Sequence, residues 1–215
     1  MDPALKVAEF LLQIKAVKLS PNKPFTWASG WKSPIYCDNR KTLSYPAVRT
    51  FIRQQFVHVI NSELGRPDMI AGVATGGIAH GALVAHDMGL PFIYVRSDVK
   101  DHGMQNQVEG DISVGRSVVL VEDLVSTGGS SLKAVKALRD AGCEVKGMVS
   151  IFSYGFDTAV KAFDAAKVKL FPLTNYSILL DQALRSKYIT EKDLLPLNEW
   201  RKAPSQWQGM EIKAS

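Results

Sequence analysis

Five short apolar runs alternate with stretches of helical spacing along most of this chain, and that order leaves few folds open. Strands are predicted over residues 69–74, 92–96, 118–122, 145–152 and 168–173, and helices over 78–87, 132–141, 158–166 and 176–187. Two further helical patterns, residues 3–17 and 46–60, precede them. The run Val118-Val119-Leu120-Val121 has no polar alternate, as expected of a strand covered on both faces. Strand and helix in turn predict an α/β fold, a mostly parallel central sheet flanked by helices. At 215 residues with 46% hydrophobic content, residues 1–215 suit a single domain with ample core.

An open parallel sheet binds its ligand at the carboxyl ends of the strands, so the residues that follow strands carry the functional reading. The clearest such segment is residues 118–131, VVLVEDLVSTGGSS. A buried strand ends in two carboxylates, Glu122 and Asp123, and the loop Ser126-Thr127-Gly128-Gly129-Ser130-Ser131 leads into a helix. Free backbone N–H groups at a helix N-terminus favour an anion such as phosphate. The carboxylates would repel that anion, whereas the vicinal hydroxyls of a ribose satisfy them. If the loop were only a connection, Ser130 or Ser131 would be its N-cap. Neither GxxxxGK[ST] nor GxGxxG is present. Residues 72–77, GVATGG, form a second strand-to-helix loop and a second candidate anion site.

Residues 96–110, RSDVKDHGMQNQVEG, are polar and separate two strands with no helical pattern. A long insertion in a compact domain is usually functional or disordered. Arg96, Lys100 and His102 put three potential cations in seven residues, which suits either a solvated hairpin or a mobile lid that brings charge to a pyrophosphate. His58, His80 and His86 fall at helical positions and are read as packing or surface groups. The net charge of +5 suits an anionic small substrate, and the dispersed basic residues argue against a dedicated nucleic-acid surface. Cys37 and Cys143 have no CxxC partner, which predicts free thiols in a reducing compartment and no protein-held metal site. No apolar stretch approaches the length of a membrane span, so a cytoplasmic protein is expected.

The EDLVSTGGSS loop closely resembles the phosphoribosyl-pyrophosphate signature of the type I phosphoribosyltransferases. With YVRSDVKDHG and the N-terminal stretch FTWASGWKSPIYCDNR, residues 25–40, the whole chain resembles the orotate phosphoribosyltransferases, in the form common in Bacillus-like bacteria. The resemblance implies the type I phosphoribosyltransferase fold with a small N-terminal hood, about residues 1–40. It also implies transfer of phosphoribose to orotate in pyrimidine (UMP) biosynthesis, Mg²⁺ held mainly by the substrate, and a homodimer that shares the lid between subunits. It assigns Arg96, Lys100 and His102 to catalysis and to the pyrophosphate, with Lys100 as the main stabiliser. Glu122 and Asp123 are assigned to the ribose, and Leu124, Val125, Ser126, Thr127, Gly128, Gly129 and Ser130 to the rest of the donor. Ser126, Lys32, Tyr36 and Cys37 are assigned to orotate. Some relatives carry Lys in place of Ala28, Gly76 and Ser97 and an orotate-contacting Arg in place of Tyr154, so this chain offers its substrates fewer cations. A transferase for another base, or a regulator that binds phosphoribosyl pyrophosphate, are the alternatives.

Overall fold

The computed structural model describes residues 2–27, 30–96 and 107–209. Helix α1 (Pro3–Gln13) is capped by the Asp2 carboxylate, which accepts from the Ala4 N–H, with Pro3 in the first turn. It stops short of the predicted residue 17, because Lys15 turns into positive φ and strand β1 (Val17–Leu19) begins. β2 (Phe25–Thr26) and β3 (Lys32–Ser33) form a small hairpin, and β4 (Ile35–Cys37) returns antiparallel to β1. A 3₁₀ turn (Asn39–Ser44) leads to helix α2 (Pro46–Val59), which a π turn (Ile60–Leu64) closes.

β5 (Met69–Val73), α3 (Gly76–Met88), β6 (Phe92–Val95), β7 (Val108–Glu109), β8 (Ser117–Val125), α4 (Gly129–Asp140), β9 (Glu144–Ser153), α5 (Asp157–Ala165) and β10 (Leu170–Asn175) follow in order. α6 (Tyr176–Arg185) and α7 (Glu191–Lys202) complete the described chain. The main sheet runs β10-β9-β8-β5-β6-β7, parallel throughout except for β7 against β6. β7 is absent from the sequence reading because two residues are too short to show a period.

Successive residues of β8 face opposite cores, as a strand buried on both sides must. Val119 and Val121 enter the cluster built with α1, α2, α3, α6 and α7, whereas Val118 and Leu120 enter the one built with α4 and α5. α1 belongs to the first of these cores, packed against α6 and β10. Helix α7 was not anticipated, although Thr190-Glu191-Lys192-Asp193 is a capping box, with the Thr190 hydroxyl and N–H both bonded to the Asp193 carboxylate at 2.8 Å. It drives Trp200 to full burial among Trp27, Tyr154, Phe156 and Tyr176, with ring centroids 5.5–5.6 Å away. The C-terminal stretch through residue 209 therefore packs on the core.

Candidate active site

Two strand-to-helix loops meet at the carboxyl end of the sheet. β8 continues past the predicted residue 122 to Val125, so Leu124 and Val125 are strand residues whose side chains pack in the two cores. Val125 is fully buried and Leu124 half-buried. The chain then turns through Gly128 at φ +84°, where a Cβ would also stand 2.9 Å from the Phe163 ring. Gly128 is the N-cap of α4 and supplies no side-chain cap, so neither Ser130 nor Ser131 takes the capping place that a plain connection would give it. The first-turn N–H groups are thus left without a capping side chain, beside exposed Thr127, Gly129 and Ser130 and half-buried Ser126.

The acid pair divides its tasks. Glu122 is buried, 5% exposed, and turned inward. One oxygen accepts from the Asp123 N–H at 3.0 Å, and the other from the Ser131 hydroxyl at 3.2 Å. Glu122 therefore ties the strand end to the first turn of α4. Burial, and then the charge of Asp123, raise its pKa well above the carboxylate range. Asp123 is raised as well, chiefly by burial. Its carboxylate lies over Gly76, where a Cβ would stand 2.2–2.4 Å from the carboxyl atoms. Gly77 presses against the Val121 carbonyl, at 2.2 Å from the same construction. The space that a lysine side chain would need at position 76 is filled by Asp123 itself.

On the hood side, Lys32 is exposed and its Nζ donates to Thr26 Oγ1 at 2.9 Å within the small hairpin. Tyr36 is 39% exposed, its ring 5.8 Å from that of Phe25. The Cys37 thiol points inward and donates to Asn39 Oδ1 at 3.2 Å. Burial, then Asp123 and Asp38, push this thiol's pKa well up, so it stays protonated. Arg40, exposed, donates from Nε to Asp38 at 2.7 Å, and its charge is felt at Asp123. Tyr154, the position of the missing arginine, is 2% exposed and stacked on Phe156 at 5.2 Å. Arg96 ends β6 with its guanidinium 3.5 Å from Glu109. Lys100 and His102, with Ser97, lie outside the described residues, as does Ala28.

The structure thus brings together Asp123, the loop over residues 126–130 and the second glycine loop. Asn39 links the hood to them: its Nδ2 donates to the Asp123 carbonyl at 2.6 Å. Sequence reading missed this residue, since a contact 84 positions away leaves no local pattern. Of the histidines, His80 is buried and held neutral, its pKa down to about 4 through burial and the nearby charge of Arg49. Among the described residues no group of three or more His, Cys, Asp or Glu could hold a metal ion, and no helix is long and apolar enough to cross a membrane.

Residues 44–176 match the family model described as the phosphoribosyl transferase domain. An orotate phosphoribosyltransferase of Bacteroides fragilis is 60% identical over 201 residues, spanning 94% of this chain and 95% of its own length. Among solved structures, orotate phosphoribosyltransferase from Aeropyrum pernix matches with a TM-score of 0.73 at 30% identity, over 82% of this chain and 97% of that one. The UMP synthase of Leishmania donovani matches with a TM-score of 0.76 at 27% identity, over 92% of this chain but 42% of that longer one.

Proposed function

The chain belongs to the phosphoribosyl transferase family and, within it, to the orotate phosphoribosyltransferases, and from that membership we propose how its residues share the reaction. It transfers the phosphoribosyl group of phosphoribosyl pyrophosphate to orotate, a step of pyrimidine biosynthesis. A bond forms between a ring nitrogen of orotate and the anomeric carbon, the bond from that carbon to pyrophosphate breaks, and the ring proton passes to solvent. Orotate is anionic and its ring proton acidic, so the site needs charge placement and orientation more than a strong base.

The observation that carries the assignment is the meeting of the two loops at Asp123, with Gly76 beneath its carboxylate. Asp123 grips the ribose hydroxyls. Glu122, bonded to Ser131 and to the Asp123 N–H, holds that carboxylate and α4 in register rather than reaching the sugar. The uncapped first turn of α4, with Ser126, Thr127, Gly128, Gly129 and Ser130, takes the 5′-phosphate. Ser126 and the hood strands around Lys32 and Tyr36 enclose the base. The described residues offer a divalent cation a carboxylate at Asp123 and no complete ligand set, which fits an ion whose remaining ligands are substrate oxygens and water. When bound, Mg²⁺ supplies charge neutralisation on the departing pyrophosphate. A homodimer and a cytoplasmic setting belong to the same reading; the free thiols of Cys37 and Cys143 support the second.

The test is loss of orotate absorbance in the presence of phosphoribosyl pyrophosphate and Mg²⁺, with adenine, hypoxanthine and uracil as competing bases. Consumption of orotate alone, dependent on donor and metal, is the expected result. Turnover of a purine would overturn the base assignment, and donor binding without turnover of any base would point to a regulator. Light scattering of the purified protein tests the dimer.

A further inference from the structure

Asn39 is fully buried, and its side-chain amide and main-chain carbonyl are each engaged by a different residue. Nδ2 donates to the Asp123 carbonyl at 2.6 Å, and Oδ1 accepts from the Cys37 thiol of hood strand β4 at 3.2 Å. Its own carbonyl accepts from the Thr42 hydroxyl at 2.5 Å, and that hydroxyl lies 3.1 Å from His80 Nε2 on α3. Thr42 has one proton and donates it to Asn39, so His80 must donate from Nε2. That tautomer leaves Nδ1 bare, and Nδ1 has no partner among the described residues. The neutral ring, with its pKa near 4, agrees. The register between β5 and β8 ends at Gly72 and Val121, so the Asp123 carbonyl lies beyond the last pair of that ladder.

We propose that Asn39 is a positioning residue of this enzyme, a buried side chain through which the hood over the base sets the carboxylate that grips the donor's ribose. The inference rests on the division of labour given above. Asn39 holds the Asp123 peptide from one side while Gly76 floors its carboxylate from the other. Movement of β4 at Cys37 pulls on the same amide that orients Asp123. Binding of base and of donor are therefore linked by a three-residue path of two hydrogen bonds.

Asn39→Asp tests this with no change of size: assayed at a pH where the new carboxyl is ionised, it keeps an acceptor for Cys37 and has no donor for Asp123. The expected result is a KM for phosphoribosyl pyrophosphate raised roughly tenfold, with kcat much less affected, as for removal of one partner of a buried hydrogen bond. Asn175→Ala, which removes the side-chain cap of α6 and no hydrogen bond of this path, should lower the melting temperature and leave the donor KM unchanged. An Asn39→Asp protein that folds and keeps the wild-type donor KM would reduce Asn39 to a structural role and overturn the proposal. If that variant fails to fold, Cys37→Ala and Cys37→Ser take its place, since a serine hydroxyl can still donate to Oδ1. A donor KM raised in the alanine variant and restored in the serine variant supports the path, and equal wild-type values in both overturn it. A wild-type enzyme that does not consume orotate would instead overturn the functional reading on which the inference stands.

Discussion

The loops after β5 and after β8 look alike in sequence, each a buried strand followed by paired glycines and a helix, yet their glycines answer to different neighbours. Gly76 and Gly77 have no room for a Cβ: one faces the Asp123 carboxylate and the other the Val121 main-chain oxygen. In the second pair Gly128 is held to glycine by its φ of +84° and by the Phe163 ring, whereas Gly129 faces open space, with nothing within 4 Å of its would-be Cβ. The first loop is a floor packed under β8 and its acid. The second is an open rim, where the same residue type leaves helix N–H groups accessible to an anion. Glycine pairs at strand ends thus carry two separate meanings, close approach to protein and close approach to ligand, and only the neighbours tell them apart.

Gly77→Ala should have the largest effect. Its methyl group would meet backbone, which cannot rotate away, so α3 or β8 must shift. A cost of about 3 kcal/mol is expected, or a melting temperature lower by roughly 10 °C. A scanning calorimetry trace unchanged from wild type would refute the packed-floor reading. Gly76→Ala meets a side chain instead, and the carboxylate can swing. Here the fold should persist while donor affinity drops by about 1.5–3 kcal/mol, the value of one charge-assisted hydrogen bond. Asp123→Asn should do the same, and the double variant should be no worse than either single one, because both act through one carboxylate. Additive losses in titration calorimetry would separate Gly76 from Asp123.

The same contrast marks what was legible in the chain. The alternation of strands and helices and the two loops between them are local patterns, and they are found in the predicted order with ends shifted by a few residues. What periodicity cannot carry is the partner of a side chain. Nothing near Glu122 in sequence says that it accepts from the Ser131 hydroxyl. Asn39 is one polar residue in the run Cys37-Asp38-Asn39-Arg40, and its role exists only once β4 is folded against the end of β8. Tyr154 likewise reads as a lost cation until Trp27, Phe156 and Trp200 surround it. Helix α7 is the opposite case, since its capping box is legible but Pro196 inside the helix reads as a break.

Glu122 stands between floor and rim, and pH reads its state. The folded protein keeps protons on Glu122 and Asp123 at pH values where the unfolded chain has lost them, because burial raises both pKa values. Folded molecules then bind more protons than unfolded ones above the ordinary carboxylate range, so stability falls as pH rises through that window. His80 has the opposite sign, its lowered pKa costing stability as pH falls from the ordinary imidazole value toward 4, so it leaves the neutral and alkaline range clear. Glu122→Gln removes the proton-binding group and keeps an acceptor for the Ser131 hydroxyl. Its melting temperature relative to wild type should rise steadily from about pH 6 to about pH 9, by up to ~1.4 kcal/mol or a few degrees for each pH unit. A difference that does not vary with pH would show that Glu122 is ionised in the folded protein, and would return it to the ligand side of the site.

The smallest effect is expected at Gly129, and it sharpens the comparison from the rim. Its backbone is not in the left-handed region and its Cβ position is empty, so Gly129→Ala should stabilise the ligand-free protein by about 0.5 kcal/mol through the lost freedom of the unfolded chain. That is a melting temperature higher by roughly 1–2 °C, the reverse of Gly77→Ala. If the rim receives phosphate, the added methyl group narrows the approach to the helix N-terminus, and affinity for phosphoribosyl pyrophosphate should fall although nothing in the protein is disturbed. A variant that gains stability and also keeps full donor affinity would mean that Gly129 is glycine for neither neighbour, and the phosphate would have to sit nearer Ser126 and Thr127.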